Sequence, residues 1–415
     1  MSWVELQLGS LCVEGGIQTG PFGSQLHQSD YSEFGTPVVM PVDMVDGRVS
    51  TERIARVSDE HVSRLSRHVM REGDIVYARR GDVGRCSRVS KAEEGWLCGT
   101  GCLRLRPDEA KVDPLFLYYA LANPKVVGWV RGHAIGATMP NLNTAILFEV
   151  PLRVPKYLET QRRIASILMA YDNLIENNRK QIALLEEAAQ RLYKEWFVDL
   201  RFPGHEDVEV VDGLPQGWSA EVLTECCDAI RGKSYTSADV DGDGDAVLVN
   251  LKNLRPFGGW NAGAERVFSG TFKDEQRVAS GDIVMGVTDM TKERRLVGRV
   301  ALVPKLDGDA VISMDLVKLQ PINVNRLYLY AVLRYSGIAE AIASLANGTN
   351  VLHLKPQMLS SVRIACPPLG LQERFGGCLQ NYVSEIELAM RQIANLSEAR
   401  DRLLPRLISG EIGVI

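Results

Sequence analysis

At 415 residues, with 45% hydrophobic and 24% charged residues, the chain has room for two or more domains with proper cores. A net charge of −5 at pH 7 argues against a protein that coats nucleic acid nonspecifically, and no apolar run approaches the roughly 18 residues that a membrane span requires. The opening Met-Ser-Trp-Val-Glu-Leu lacks signal-peptide character, and the eight cysteines form neither Cys-x-x-Cys nor a zinc-ligand spacing, so a reduced cytoplasmic protein is expected.

Residues 1–157 read as a first unit. Near its start, Gly15-Gly-Ile-Gln-Thr-Gly-Pro-Phe-Gly-Ser-Gln-Leu26 is a glycine-rich loop whose spacing does not suit a phosphate cradle. Its polar side chains Gln18, Thr19, Ser24 and Gln25 sit on bent backbone, where they can reach base edges or phosphates. Short strands bounded by turn formers are expected at Thr36-Pro-Val-Val-Met, Asp74-Ile-Val-Tyr-Ala and Gly101-Cys-Leu-Arg-Leu-Arg. From Arg48 to Lys91 there are eleven Lys or Arg residues, among them Arg79, Arg80 and Arg85. Asp113 followed by Pro114 predicts a capped helix through Leu-Phe-Leu-Tyr-Tyr-Ala-Leu. This mixture predicts an α+β domain dominated by antiparallel strands.

Over residues 158–200 the pattern becomes helical. Ile164, Tyr171, Asn178, Leu185 and Leu192 recur every seven residues, beside a row of Ile167, Leu168, Leu174, Ile175, Ile182 and Ala189, and Glu159 to Phe197 contains no glycine or proline. Such a helix would span about 58 Å at 1.5 Å per residue, and sustained heptads with charged flanks predict a coiled coil. An acidic linker follows at residues 201–213, then a second unit at 214–369. Its loop Ile230-Arg-Gly-Lys-Ser-Tyr235 matches the first glycine-rich loop, with Arg231, Lys233, Ser234 and Tyr235 as candidate DNA contacts. Lys292, Arg294, Arg295 and Arg299 stand where the basic run of the first unit stands. Residues 370–415 form a second long helix with Phe375, Leu379, Tyr382, Val383, Ile386, Met390, Ile393, Leu396, Leu403 and Leu404 as its apolar stripe. Two seams of similar length pack more simply on each other than each on its own domain, and chain order makes them antiparallel if the two domains sit at opposite ends.

Much of the chain occurs twice. Gly73-Asp-Ile-Val76 followed by Val83-Gly-Arg85 recurs as Gly281-Asp-Ile-Val284 followed by Val297-Gly-Arg299. Gly136-Ala-Thr-Met-Pro-Asn-Leu142 returns as Gly348-Thr-Asn-Val-Leu-His-Leu354, and the helix opening at Gln161 returns at Gln372. The offsets of 208, 214, 212 and 211 residues mark a duplicated module, not a solenoid. Two similar units on one frame can read two separated pieces of an extended partner.

Signals for catalysis fail on inspection. Gly232-Lys-Ser234 has Cys227 where a phosphate-binding loop needs its first glycine. Asp239-x-Asp241-x-Asp243-Gly244 opens like a calcium loop, yet its twelfth position is Asn250 and strand-like Ala246-Val-Leu-Val intervenes, so an acidic turn is expected. Asp108 and Glu109 are adjacent and cannot converge on a metal as separated nuclease carboxylates do, and Asn123-Pro124 continues with Lys125 and not as an adenine-methylation motif. No catalytic or metal-ligating residue is expected.

Three stretches resemble one family, the specificity subunits of type I restriction-modification enzymes. The Gly16-to-Leu26 loop with Tyr31 resembles the opening of that family's target recognition domains. Arg191-Leu-Tyr-Lys-Glu-Trp-Phe-Val-Asp199 is similar to the end of its central conserved helix, and Arg402-Leu-Leu-Pro-Arg-Leu-Ile-Ser-Gly-Glu-Ile412 to its carboxy-terminal motif. The second unit departs most, because its opening loop lacks the Thr-Gly-Pro-Phe-Gly core. The resemblance implies two target recognition domains joined by an antiparallel two-helix spacer, each domain reading half of a bipartite, asymmetric site in double-stranded DNA. It implies a noncatalytic chain that docks two methyltransferase subunits and restriction subunits, with S-adenosylmethionine, ATP and Mg on those partners and no cofactor of its own. The rival readings are a specificity subunit of another split-site restriction system, a protein-binding coiled-coil scaffold without DNA reading, and a stand-alone nuclease or methyltransferase with a divergent site.

Overall fold

The computed structural model describes residues 2–136, 140–211, 213–240 and 242–414. The chain divides into two compact units, Met1–Ile175 with Ala394–Ile415, and Glu176–Ile393. No helix among the described residues is long and apolar enough to cross a membrane.

The first unit holds a four-stranded antiparallel sheet ordered Cys12–Thr19, Cys102–Pro107, Ile75–Ala78, Cys86–Arg88. A smaller sheet of Ala55–Val57, Thr36–Val39 and Leu97–Cys98 contains one parallel pairing, Val38 with Leu97. The strand Ile75–Ala78 is apolar throughout because both its faces are covered: Ile75 and Tyr77 join the cluster around the helix Pro114–Ala122, while Val76 and Ala78 join a cluster with Val39 and Met70. Asp113 caps that helix as expected, its Oδ1 accepting from the Phe116 amide at 2.9 Å.

The second unit repeats this order. Its four-stranded sheet runs Cys227–Arg231, Leu316–Pro321, Ile283–Gly286, Val300–Leu302. Its second sheet, four-stranded where the first unit's has three strands, again has one parallel pairing, Ala246–Val249 with Asp309–Ile312. Ile283 and Met285 face one cluster and Val284 another, as in the first unit. The duplication visible in the motifs is therefore a duplication of topology.

Both long helices are present, Leu158–Tyr193, continued by one π turn over Lys194–Val198, and Leu369–Ser409. In the first unit Ile164 and Leu168 share a core with Leu404, Leu407 and Ile408, the start of one helix beside the end of the other. In the second unit Ala189, Tyr193 and Trp196 share a core with Phe375 and Leu379, the reverse ends. Within each unit the two segments therefore run antiparallel, and the chain is an α+β protein with two long helices. The buried seam of the first helix is Leu168, Ile175, Ile182, Ala189 and Trp196, at heptad spacing, whereas Ile167 and Leu174 are exposed. The Trp-Phe-Val-Asp motif is explained by packing: the Phe197 ring lies 4.8 Å from Phe375 and 4.9 Å from Tyr328, both edge-on.

One device joins helix to domain in both units. Gln161 is 1% exposed, accepts from the Asp113 amide at 2.8 Å and donates to the Pro155 carbonyl at 2.9 Å. Gln372 is 2% exposed, accepts from the Asn325 amide at 2.9 Å and donates to the Pro367 carbonyl at 2.7 Å. Asp113 and Asn325 are the N-caps of the helices Pro114–Ala122 and Arg326–Tyr335, so each glutamine locks a long helix to the start of its domain helix.

Candidate nucleic-acid interface

In the sheet that opens with Cys12–Thr19 and in the one that opens with Cys227–Arg231, two strands end where a third begins, and the candidate loops leave from that edge. In the first unit Thr19 stands opposite Leu103, and Ala78 opposite Cys102. Gly20 then donates to the Cys102 carbonyl at 2.9 Å and Arg79 to the Gly101 carbonyl at 2.8 Å. In the second unit Gly232 donates to the Leu316 carbonyl at 3.2 Å and Val287 to the Asp315 carbonyl at 2.9 Å. Both loop-opening glycines are required by close approach. A Cβ on Gly20 would stand 2.0 Å from the Gly99 carbonyl oxygen, and one on Gly232 2.0 Å from that of Ser313. Gly232-Lys-Ser234 is thus a packed loop start matching Gly20-Pro-Phe22.

The sequence-selected residues fall into three groups. Arg80, Ser24, Arg231, Ser234 and Lys292 are exposed. Several others serve the protein itself. Gln18 Oε1 accepts from buried Arg104 at 2.9 Å, and Gln25 Oε1 accepts from the Phe22 amide at 3.1 Å. Arg79 stacks 5.5 Å from the Phe22 centroid, and its Nε donates to Asn141 Oδ1 and to the Leu142 carbonyl, both at 3.2 Å. Arg85 is paired with Asp82 at 2.8 Å, and Arg299, 7% exposed, with Glu340 at 2.5 Å. Arg299 therefore faces inward. Thr19, Lys233 and Tyr235 are half-buried, Lys233 exchanging backbone bonds with Ile312 and Met314, and Tyr235 packing on the Phe268 cluster. Arg294 and Arg295 are half-buried, Arg294 at φ 52°, and Arg295 lies 3.5 Å from Glu293.

That basic loop is held by a residue the sequence reading passed over. Asp289 is 0% exposed, and its carboxylate accepts from the Thr291 amide and hydroxyl at 2.7 Å each, the Leu296 amide at 2.6 Å and the Val297 amide at 3.1 Å. Burial pushes its carboxyl up, but the bonds from Leu296, Thr291 and Val297 outweigh it and hold the group below the usual carboxylate range. The sequence signal was available in Asp289-Met-Thr291, an aspartate two residues before a hydroxyl, as in an Asx turn.

The second repeated motif closes the same edge. Asn141 bridges Arg80, and Leu142 donates to the Arg79 carbonyl at 2.9 Å. The strand Leu352–His353 pairs with Thr288–Asp289, and Leu354 donates to the Val287 carbonyl at 2.8 Å. Within the motif, Ala137, Thr138 and Met139 lie outside the described residues, as does Asp241 of the acidic turn and Asp212 of the linker. Asp239 accepts from the Thr236 amide at 2.7 Å and a strand begins at Ala246, and Asp108 pairs with Lys111 at 3.0 Å. Among the described residues no group of three or more His, Cys, Asp or Glu side chains is placed to hold a metal.

Residues 33–187 match the family described as type I restriction modification DNA specificity domain. The MjaIX specificity subunit, of a type I restriction enzyme from Methanocaldococcus jannaschii, is 25% identical over 363 residues, spanning 86% of this chain and 82% of its own. The HindI specificity subunit from Haemophilus influenzae is 22% identical over 419 residues, spanning 84% and 88%. The crystal structure of a type I restriction-modification S subunit from M. genitalium superposes with a TM-score of 0.58 at 18% identity, covering 98% of this chain and 96% of that one, which shows a shared fold. The protein is thus a two-unit α+β chain carrying a type I DNA specificity domain. Over most of its length it is similar to specificity subunits of type I restriction-modification systems, the family that its loop, central-helix and carboxy-terminal motifs resemble.

Proposed function

We propose that this chain is the noncatalytic DNA reader of a type I restriction-modification complex, each unit reading one half of a bipartite, asymmetric site. The observation that carries the reading is the loop cluster, built twice at the same edge of the same sheet and dressed each time with exposed basic and polar side chains. Arg80, Arg231 and Lys292 supply salt-dependent contacts to phosphates, which position the protein without reading sequence. Discrimination comes from polar groups in the loops, each well-placed base contact being worth about 1 to 3 kcal/mol.

The functional division follows the chain: residues 1–157 and 214–369 as target recognition domains, 158–200 and 370–415 as the helical spacer, 201–213 as linker. The spacer sets the distance between half-sites and, with the domains, receives two methyltransferase subunits and the restriction subunits. Methyl transfer, ATP-driven translocation and cleavage, with S-adenosylmethionine, ATP and Mg, belong to those partners, and the complex works in the cytoplasm. Exchanging residues 1–157 for those of a relative with another specificity should change one half of the methylated motif and leave the other half intact. A change in both halves would show that the units do not read independently.

A further inference from the structure

The repeated segments ending at Leu142 and Leu354 have no role in the reading so far, yet the fold treats them alike. Asn141 exchanges backbone bonds with Ile135, at 2.9 and 3.0 Å, and bridges Arg80 on its other side. His353 exchanges backbone bonds with Asn347, at 2.8 and 3.1 Å, and pairs with Thr288 on its other side. Each residue is thus the middle of a narrow three-strand ribbon at the reading edge, with its backbone fully engaged and its side chain left to act. Asn141 is half-exposed and His353 exposed. Different side chains in one backbone frame are what two half-sites of different sequence demand.

In the first unit the side chain is also oriented. Arg79 Nε can only donate, so the Asn141 atom 3.2 Å from it is the carbonyl oxygen, and the amide nitrogen points the other way. Arg79 is itself held by the Leu142 carbonyl and by stacking on Phe22, so it acts as a brace. Asn141 then keeps its amide donors on the side away from Arg79. Such a group accepts a guanine, an adenine N7 or a thymine O4 and rejects cytosine, whose major-groove edge offers a donor.

We propose that Asn141 and His353 are the equivalent base-edge readers of the two units, with Arg79 as the positioning residue that makes Asn141 a donor. The inference rests on the DNA-reading function proposed above.

The test applies the chain, assembled with its methyltransferase subunits, to a library of randomised duplex DNA and sequences what is retained. Asn141→Ala should relax one position of one half-site by roughly 5- to 150-fold. The isosteric Asn141→Asp presents an oxygen in place of the amide and should shift that same position toward cytosine. His353→Ala should relax one position in the other half, and the half left unchanged in each variant reports that the protein is folded. Arg79→Ala should blur the base read by Asn141 without lowering the salt dependence of binding, which a lost phosphate contact would reduce. Unchanged base preferences in both Asn141 variants, beside a wild-type bipartite motif, would overturn the inference and leave the proposed function standing. Loss of selection in both halves at once would assign Asn141 a structural role and overturn it too. No selected motif with the wild-type complex would overturn the function and the inference together.

Discussion

Replacing Asp289 with alanine is expected to destabilise the second unit by about 2 to 4 kcal/mol and to release the loop that carries Lys292, Arg294 and Arg295. Three backbone amides and one hydroxyl converge on its fully buried carboxylate. Each buried donor left unpaired costs roughly 1 to 3 kcal/mol, and water reaching the relaxed loop recovers part of that sum. Arg294 at φ 52° adds to the dependence, because a non-glycine residue in the left-handed region persists only when its surroundings hold it there. The sign with pH follows from the lowered carboxyl. The stabilisation is complete above the unfolded carboxyl value of about 4 and is lost as pH falls through the lower folded value. The protection factors of the Leu296 and Val297 amides, with the intrinsic pH dependence of exchange divided out, should therefore be flat near neutrality and fall in acid. In Asp289→Ala the protection should be absent at every pH. Equal protection in the two proteins at pH 7 would refute the pinning role.

Gln161→Ala and Gln372→Ala should each cost roughly 2 to 3 kcal/mol. Each substitution strips a partner from a buried backbone amide (Asp113 or Asn325) and from a buried carbonyl (Pro155 or Pro367). Glutamate in their place is the sharper probe. It can still accept from the amide but cannot donate to the carbonyl, and it would bring a charge into a site almost closed to water. Gln161→Glu and Gln372→Glu should therefore be at least as destabilising as alanine in chemical denaturation. A glutamate variant as stable as wild type would mean that the carbonyl contact contributes nothing.

The two-fold architecture was legible because it rests on signals local in sequence. Asp74-Ile-Val and Asp282-Ile-Val are buried strands, Asp113 before Pro114 is a cap, and Gln161 and Gln372 open matching helices. Other features depend on pairings that sequence spacing does not encode. Arg299 stands in a basic run suited to phosphate, yet it pairs with Glu340, 41 residues on. The buried seam of the first long helix takes Leu168, Ile175, Ile182 and Ala189 from the second apolar row and Ile164 from the first, while Ile167 and Leu174 of that second row are exposed, because packing within each unit selects one face of a broad stripe. Asn141 and His353 lie inside a visible repeat, but their place at the loop edge of each sheet comes from pairing with Arg80 and Thr288. Asp289 showed only a weak turn signature, and its four bonds come from residues that the fold wraps back onto it.

The most direct test of the central claim is adenine methylation mapped by single-molecule sequencing in a host expressing this chain with its methyltransferase partner, against the same host without this chain. The account predicts a new bipartite motif, methylated on both strands, only where the chain is present. No new motif, with a methyltransferase partner shown to be present and competent, would contradict it.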